Sequence, residues 1–313
     1  MIRCEKDELE GLTRIVCNMF SLTFIGGNNI GVKKIAILGA GVMGAGIAQA
    51  AVHGGYEVII RDLQMTLVQK GLSTIYNSLK EKVQAHEITN EELELMKSRL
   101  TGTTDLTLIH DADMVIEAII ENASVKKQVF AELDNHCRED TILGTNTSTL
   151  SISEIASATK NPQRVIGVHF FYPVPAMELV EVVKGLQTSE DTVTRTLEVI
   201  GNMGKKAIVV QRESPGFVVN RILASMINEA IWVYGEGLAS AEDIDTAIKL
   251  ETGMKKGPLE LADILGLDTL YSGIMSLYEE FKDPKYRPHP SFTTMVRSGY
   301  LGRKTGQGFY RYE

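Results

Sequence analysis

Residues 34–52 constrain this chain more than any other stretch. An apolar run, Lys34-Ile-Ala-Ile-Leu38, leads directly into Gly39-Ala-Gly-Val-Met-Gly44, and an apolar helical stretch follows at 47–52. A strand, a tight glycine turn and a helix in that order open a βαβ unit. Gly39 makes the turn, Gly41 lets a phosphate approach the backbone, and Gly44 lets the helix lie close on the strand. With Val42 and Met43 between them, these glycines form the expected pyrophosphate cradle of a dinucleotide, facing the positive end of the helix. Asp62 ends the next apolar run about twenty residues beyond Gly39, where a carboxylate can accept hydrogen bonds from the adenosine ribose hydroxyls. The same carboxylate repels a 2′-phosphate, so the expected cofactor is NAD. Arg61 beside it is the residue that favours the phosphorylated form. A glycine-rich turn in an α/β domain that binds no nucleotide is the structural alternative.

The rest of the chain extends the unit. Short runs rich in β-branched residues at 35–38, 58–61, 114–118, 142–145, 165–169, 179–183 and 207–210 alternate with longer amphipathic segments. That alternation predicts an α/β fold, a Rossmann-type doubly wound and mostly parallel sheet of seven strands. The interval 66–100 is too long for a bare loop in a compact domain. It reads as two helices, 67–83 and 91–100, the second capped by Thr89 or Asn90 with Glu92 in its first turn, together a protruding hairpin. After Ser214-Pro215-Gly216 the strand runs stop, and Val219, Ile222, Met226, Ala230 and Val233 recur at helical spacing, with further helical stretches at 241–250 and 267–281. The organisation read from these patterns is an N-terminal extension 1–31, a dinucleotide-binding domain 32–213 with its helical excursion 66–100, and a second, all-helical domain 214–313. Trp232, Met226 and Ile231, spread around one helix, predict burial of that surface against another subunit.

Composition removes other classes of function. Lys plus Arg number 32 against 40 for Asp plus Glu, a net charge of -8. The basic footprint that nucleic-acid backbones demand is missing, so no nucleic-acid partner is expected. Cys4, Cys17 and Cys137 form no C-x-x-C pair, which argues against a disulfide framework or a bound metal and for a reducing cytoplasm. The extension carries Glu5, Asp7, Glu8 and Glu10 ahead of an apolar stretch broken by Asn18, Ser21 and Thr23. It fits neither a signal nor a transit peptide, and the stretch is too short to span a bilayer, so no membrane partner is expected. It reads as a loosely attached tail, or as residues added by an upstream start codon.

His169 closes the strand-like run of Val165-Ile-Gly-Val-His169-Phe-Phe-Tyr-Pro-Val-Pro, and Glu181 lies inside the next one. At the carboxyl edge of a sheet a histidine can act as general base, with a carboxylate fixing its tautomer and supporting its charge. A single histidine on a strand is more often a satisfied core residue, and spacing does not show that Glu181 reaches it.

Six blocks in order then resemble a known family: the glycine loop, Val115-Ile-Glu-Ala-Ile-Ile-Glu121-Asn, Asn146-Thr-Ser-Thr149, His169-Phe-Phe-Tyr-Pro-Val-Pro, Ser214-Pro-Gly-Phe-Val-Val-Asn-Arg221 and Gly302-Arg-Lys-Thr-Gly-Gln-Gly-Phe-Tyr310. From Val32 to Glu313 the chain resembles the L-3-hydroxyacyl-CoA dehydrogenases, above all their short bacterial form. The resemblance implies hydride transfer between NAD and C3 of an (S)-3-hydroxyacyl-CoA or 3-oxoacyl-CoA, with short-chain, four-carbon substrates, in fatty-acid or butanoate metabolism. It implies His169 as base and Glu181 as its acidic partner. It assigns Ser148 to the substrate's C3 oxygen and Asn220 to the active-site polar network. Asp62 falls to the adenosine ribose, Asn146 to the cofactor, and Glu121 and Lys126 to the nicotinamide side. Ser78, with Lys80 or Lys82, falls to the CoA nucleotide, though the lysine register there is imperfect. A homodimer through the helical domain is also implied.

Each residue has a plainer reading. Ser148 could cap the following helix, Glu121 could be a surface charge, and Lys80, Lys82 and Lys126 could be solvated lysines. Asn220 lies among apolar residues, where an unpartnered buried amide would cost about 1 to 3 kcal/mol. The chain departs from the family at Tyr172, where Asn is usual. A phenol there is expected to narrow the acyl pocket toward four carbons or to lower turnover, unless it swings outward into water. The rival readings are an NAD-dependent dehydrogenase of a sugar acid on the same fold, and an inactive NAD-binding protein.

Overall fold

The computed structural model describes residues 31–312. The extension read at 1–31 therefore lies, apart from Gly31, outside the described residues. Eight strands form one sheet: β1 (Lys34–Leu38), β2 (Glu57–Arg61), β3 (Leu100–Thr103), β4 (Met114–Glu117), β5 (Ile142–Thr145), β6 (Val165–Phe170), β7 (Leu179–Val183) and β8 (Lys206–Val210). Their order is β3-β2-β1-β4-β5-β6-β7-β8. The first six in this order run parallel, β7 is antiparallel to β6, and β8 is parallel to β7. The chain reverses its winding between β1 and β4, the crevice where doubly wound sheets take their ligands.

Both faces of the sheet are covered, which is why the strands are apolar throughout rather than alternating. Ile35 and Ile37 of β1 join one core with Ile47 of α1 (Val42–His53), Val68, Ile75 and Leu79 of α2 (Met65–Gln84) and Val199 of α6 (Glu190–Asn202). Ala36 and Leu38 face the other core, with Phe130 and Leu133 of α4 (Ala123–His136) and Ile152 and Ile155 of α5 (Ile152–Ala156).

Two expectations for the 66–100 excursion are corrected. The sheet has eight strands, not seven, because the excursion ends in β3, paired with β2 through Val58 and Leu100. Thr101, Gly102 and Thr103 give this edge strand almost no apolar signal, so the helix seemed to run to Leu100, whereas α3 (Asn90–Ser98) stops at Ser98. Nor is the excursion a protruding hairpin. α2 lies on the sheet so closely that a Cβ at Gly102 would come 2.6 Å from Val68, and one at Gly71 would come 2.7 Å from the Ala40 carbonyl. The cap of α3 is Thr89, which accepts the Glu92 amide while Glu92 accepts the Thr89 amide. These reciprocal bonds satisfy amides that the helix itself leaves free.

Beyond β8 the described chain is helical: α7 (Val219–Gly235), α8 (Ala241–Thr252), α9 (Pro258–Leu265), α10 (Leu267–Phe281) and α11 (Pro290–Arg297). α9 and α11 went unread in the sequence, although each has proline at its first position, where the missing N–H is no loss. Ile227, Ile231, Leu259, Leu267, Ile274 and Phe292 form their shared core. Of the three residues expected to face another subunit, Ile231 lies inside this core, while Met226 and Trp232 are half-buried. Ile231 is fully buried, Met226 packs against the same core, and the Trp232 indole donates to the Arg287 carbonyl at 2.9 Å with its ring against His289. Among the described residues no helix is long and apolar enough to cross a membrane.

The glycine-rich C-terminal block is explained by two buried aspartates. Asp245 accepts the Leu259 and Glu260 amides at the start of α9 and the Tyr310 hydroxyl. Asp263 accepts the Phe309 and Tyr310 amides and the Tyr312 hydroxyl, and burial pushes its carboxyl above the usual carboxylate range. A Cβ at Gly302 would come 2.3 Å from the Asp263 carbonyl, and one at Gly308 would come 1.9 Å from its carboxylate. Replacing Asp263 with Ala should therefore leave two amides and a hydroxyl without their partner and cost about 3 kcal/mol in urea unfolding. A loss below about 1 kcal/mol would show that the block is held by other contacts.

Candidate active site

The glycine loop has one open side. Gly39 adopts a positive φ of 99° and donates its amide to the Arg61 carbonyl, and a Cβ there would come 2.5 Å from the Ala118 carbonyl. A Cβ on Gly44 would come 1.8 Å from the Gly39 carbonyl, so the helix could not close on the strand. Gly41, by contrast, has nothing within 4 Å of where a Cβ would be. It is the N-cap of α1, a helix with no side-chain cap and no acid in its first turn. The helix starts at Val42, earlier than the stretch read at 47–52, so the Val42 and Met43 amides belong to its uncapped first turn. Free amides, a helix dipole and clear space fit a pyrophosphate. Asp62 borders the loop: one carboxylate oxygen accepts the Ala40 amide at 2.8 Å and the other the Leu63 amide at 2.7 Å. Arg61 donates to the Thr104 carbonyl at 3.3 Å.

At the far side of the carboxyl edge, β6 and β7 bring His169 and Glu181 directly opposite each other. His169 Nδ1 lies 2.7 Å from Glu181 Oε2, with Glu181 fully buried and His169 nearly so. The other Glu181 oxygen accepts the Val218 and Val219 amides at 3.1 and 2.9 Å, at the start of α7. A carboxylate can only accept, so Nδ1–H donates to Glu181, and Nε2 has no hydrogen-bond partner among the described residues. The Phe171 ring, 4.5 Å away by centroid, and the edge of Phe217 flank the imidazole. Gly216 and Phe217 both take positive φ, 71° and 45°, as the chain turns from the sheet into α7.

The loop after β5 is the third part. Asn146 accepts the Phe170 amide, next to His169, through its side-chain oxygen at 2.9 Å. Glu121 accepts the Thr147 hydroxyl at 2.5 Å and the Ser148 amide at 3.1 Å through one oxygen, while its other oxygen faces Lys126 Nζ at 3.4 Å. Glu121 is thus an organiser of the loop rather than a free surface charge. Lys126 is no solvated lysine: only 1% of its side chain is exposed, and it donates to Glu117 at 2.5 Å. Glu117, fully buried at the end of β4, also accepts the Ile119 amide and the Thr145 hydroxyl. The sequence reading missed it, although an acid within the apolar run Met114-Val-Ile-Glu117 requires a buried partner. Ser148 does not cap the following helix, because Ser151 does. Neither the Ser148 hydroxyl nor the Asn220 side chain has a hydrogen-bond partner among the described residues.

The residues expected to meet a CoA nucleotide are less free. The Ser78 hydroxyl accepts from Gln49 on α1 at 2.9 Å, Lys82 pairs with Glu87 at 2.6 Å, and Lys80 is exposed. A further lysine, unread in the sequence, lies near Lys82. Lys205 donates to the Val174 and Met177 carbonyls at 2.8 Å, and burial, followed by the charge of Lys82, lowers its pKa. Tyr172 is 70% exposed.

With this geometry in view, comparison with known proteins is direct. Residues 34–214 match the 3-hydroxyacyl-CoA dehydrogenase NAD-binding domain, and residues 216–312 match the C-terminal domain of the same family. The chain belongs to the 3-hydroxyacyl-CoA dehydrogenase family. It is 45% identical to a 3-hydroxybutyryl-CoA dehydrogenase of Clostridioides difficile over 279 residues, 89% of this chain and 99% of that one. It is 44% identical to a probable 3-hydroxybutyryl-CoA dehydrogenase of Bacillus subtilis, over 90% of this chain and 98% of that one. The crystal structure of (S)-3-hydroxybutyryl-CoA dehydrogenase from Ralstonia eutropha superposes with a TM-score of 0.88 at 45% identity, covering 90% and 99% of the two chains. The glycine loop of this family member carries its own test. Gly41→Ala should leave the melting temperature unchanged but weaken NAD binding at least about tenfold, because its methyl enters the open cradle. Gly44→Ala should destabilise the fold itself. Unimpaired NAD binding by Gly41→Ala, measured by calorimetry, would place the pyrophosphate elsewhere.

Proposed function

We propose that this chain is an NAD-dependent dehydrogenase that interconverts (S)-3-hydroxyacyl-CoA and 3-oxoacyl-CoA, with four-carbon acyl groups as its principal substrates. The observation that carries the reading is the His169–Glu181 pair at the carboxyl edge, with Nδ1 held by the carboxylate and Nε2 without a partner among the described residues, together with the unpartnered polar groups of Ser148, in the loop after β5, and Asn220, in α7. NAD, when bound, supplies the hydride acceptor. In the oxidation, His169 takes the proton of the C3 hydroxyl at Nε2 as the hydride leaves C3. Glu181, holding Nδ1–H, supports the positive charge that develops on the imidazole. Its own negative charge is sustained by two backbone amides at the start of α7. Ser148 donates to the C3 oxygen, and Asn220 positions the thioester arm. Asp62 receives the adenosine ribose. Ser78, Lys80 and Lys82 meet the CoA nucleotide, with Lys205 adding positive charge beside Lys82. In reduction the same proton returns from His169 to the carbonyl oxygen.

The same reading gives residues 32–213 the cofactor and residues 214–313 the substrate side and a homodimer contact, in a cytoplasmic enzyme of fatty-acid or butanoate metabolism. Support for a CoA substrate comes from the relatives' names together with the lysines of α2, which a sugar acid would not need. Acetoacetyl-CoA with NADH should be turned over by the parent protein, and loss of NADH absorbance reports it. His169→Gln should lower kcat by about 10²- to 10⁴-fold while NAD affinity stays within about twofold, since the base acts only in the transition state. A His169→Gln variant that keeps most of its kcat, with chemistry rate-limiting, would rule out the assigned base.

A further inference from the structure

Glu117, Lys126 and Glu121 form a charge cluster that the proton path above leaves unused. Glu117 accepts three donors, Lys126 is its buried counter-ion, and Glu121 reaches the same ammonium from the open side with 40% of its side chain exposed. Two carboxylates around one ammonium leave a net charge of one negative unit. The cluster stands at the end of β4, in the β4–α4 connection and in the first turns of α4, beside the Ser148 loop. In a doubly wound sheet the strands β1 to β3 take the adenosine half, here with Asp62, and the strands on the other side of the switch point take the nicotinamide half. The cluster therefore borders the ring whose charge changes in the reaction: a pyridinium cation in NAD⁺, neutral in NADH.

We infer that the net charge of Glu117, Lys126 and Glu121 sets the relative affinity for oxidised and reduced cofactor, favouring NAD⁺. Burial matters here because Coulomb interactions weaken less in the protein than in water. Glu117 and Lys126 act in this scheme through their charge alone, and Glu121, the exposed member, presents the surplus to the ring. The inference rests on the NAD reading above but not on the identity of the acyl substrate.

The experiment measures dissociation constants for NAD⁺ by calorimetry and for NADH by fluorescence, on the full chain without acyl substrate. Glu117→Gln and Glu121→Gln each neutralise the cluster and should raise the NAD⁺ to NADH dissociation-constant ratio by about threefold to tenfold. Glu117→Gln/Lys126→Met restores one negative charge while removing the buried pair, and its ratio should return to within about twofold of the parent. A merely structural role would weaken both forms together and leave the ratio unchanged. Should Glu117→Gln fail to fold, Glu121→Gln and the double variant carry the same comparison. A constant ratio across the variants, or a double variant that remains shifted, overturns the inference while leaving the dehydrogenase reading intact. A parent that binds neither form overturns both.

Discussion

One carboxylate ties the candidate active site together. Glu181 gives one oxygen to His169 and the other to the first amides of α7, so the imidazole, the last strands of the sheet and the start of the helical region share a single side chain. A carboxylate removed from water needs such partners, and the helix N-terminus supplies both hydrogen bonds and a favourable dipole. The arrangement depends on β7 running antiparallel to β6, which puts residues 169 and 181 directly across from each other. Its consequence is that His169 and Asn220, one residue past the Val219 amide, have their positions set by a common contact.

The same logic recurs wherever charge is buried. Glu117 and Lys126 join β4, β5 and α4, Arg164 and Asp134 join the turn entering β6 to α4, and Asp245 and Asp263 fasten the C-terminal glycine block to α8 and α9. Removing one member of such a pair is far more damaging than replacing both with apolar residues. These contacts add specificity of geometry to a fold whose stability comes from the two apolar faces of the sheet and the helical core. The carboxyl edge is then a set of short loops, each pinned by an acid: half-buried Asp62 for the glycine loop, exposed Glu121 for the Ser148 loop and fully buried Glu181 for the entry to α7.

Much of this was legible before any coordinates. The β1–glycine–α1 unit and the long apolar strands announce themselves because they combine local spacing with strong side-chain signals. β3 did not, since Thr-Gly-Thr carries no apolar alternation and its pairing is decided by β2 and α2. The direction of β7 could have been inferred: the link 171–178 is shorter than the dozen or more residues that a parallel crossover needs. The partnership of Glu117 and Lys126 was hidden for a different reason. They lie on a strand and on the following helix, and only the tertiary packing shows that the lysine turns inward. Trp232 shows the same limit: its place on a helix face cannot reveal that Arg287 and His289 cover part of its ring.

The claim that Glu181 acts through His169 is tested most directly by a double-mutant cycle on kcat, with His169→Gln, Glu181→Gln and both together. If the carboxylate works by orienting and charging the imidazole, Glu181→Gln should cost a large factor in the parent and almost nothing once His169 is already Gln. If the two losses instead multiply in the double variant, the two residues act independently and Glu181 is only a fastening for α7.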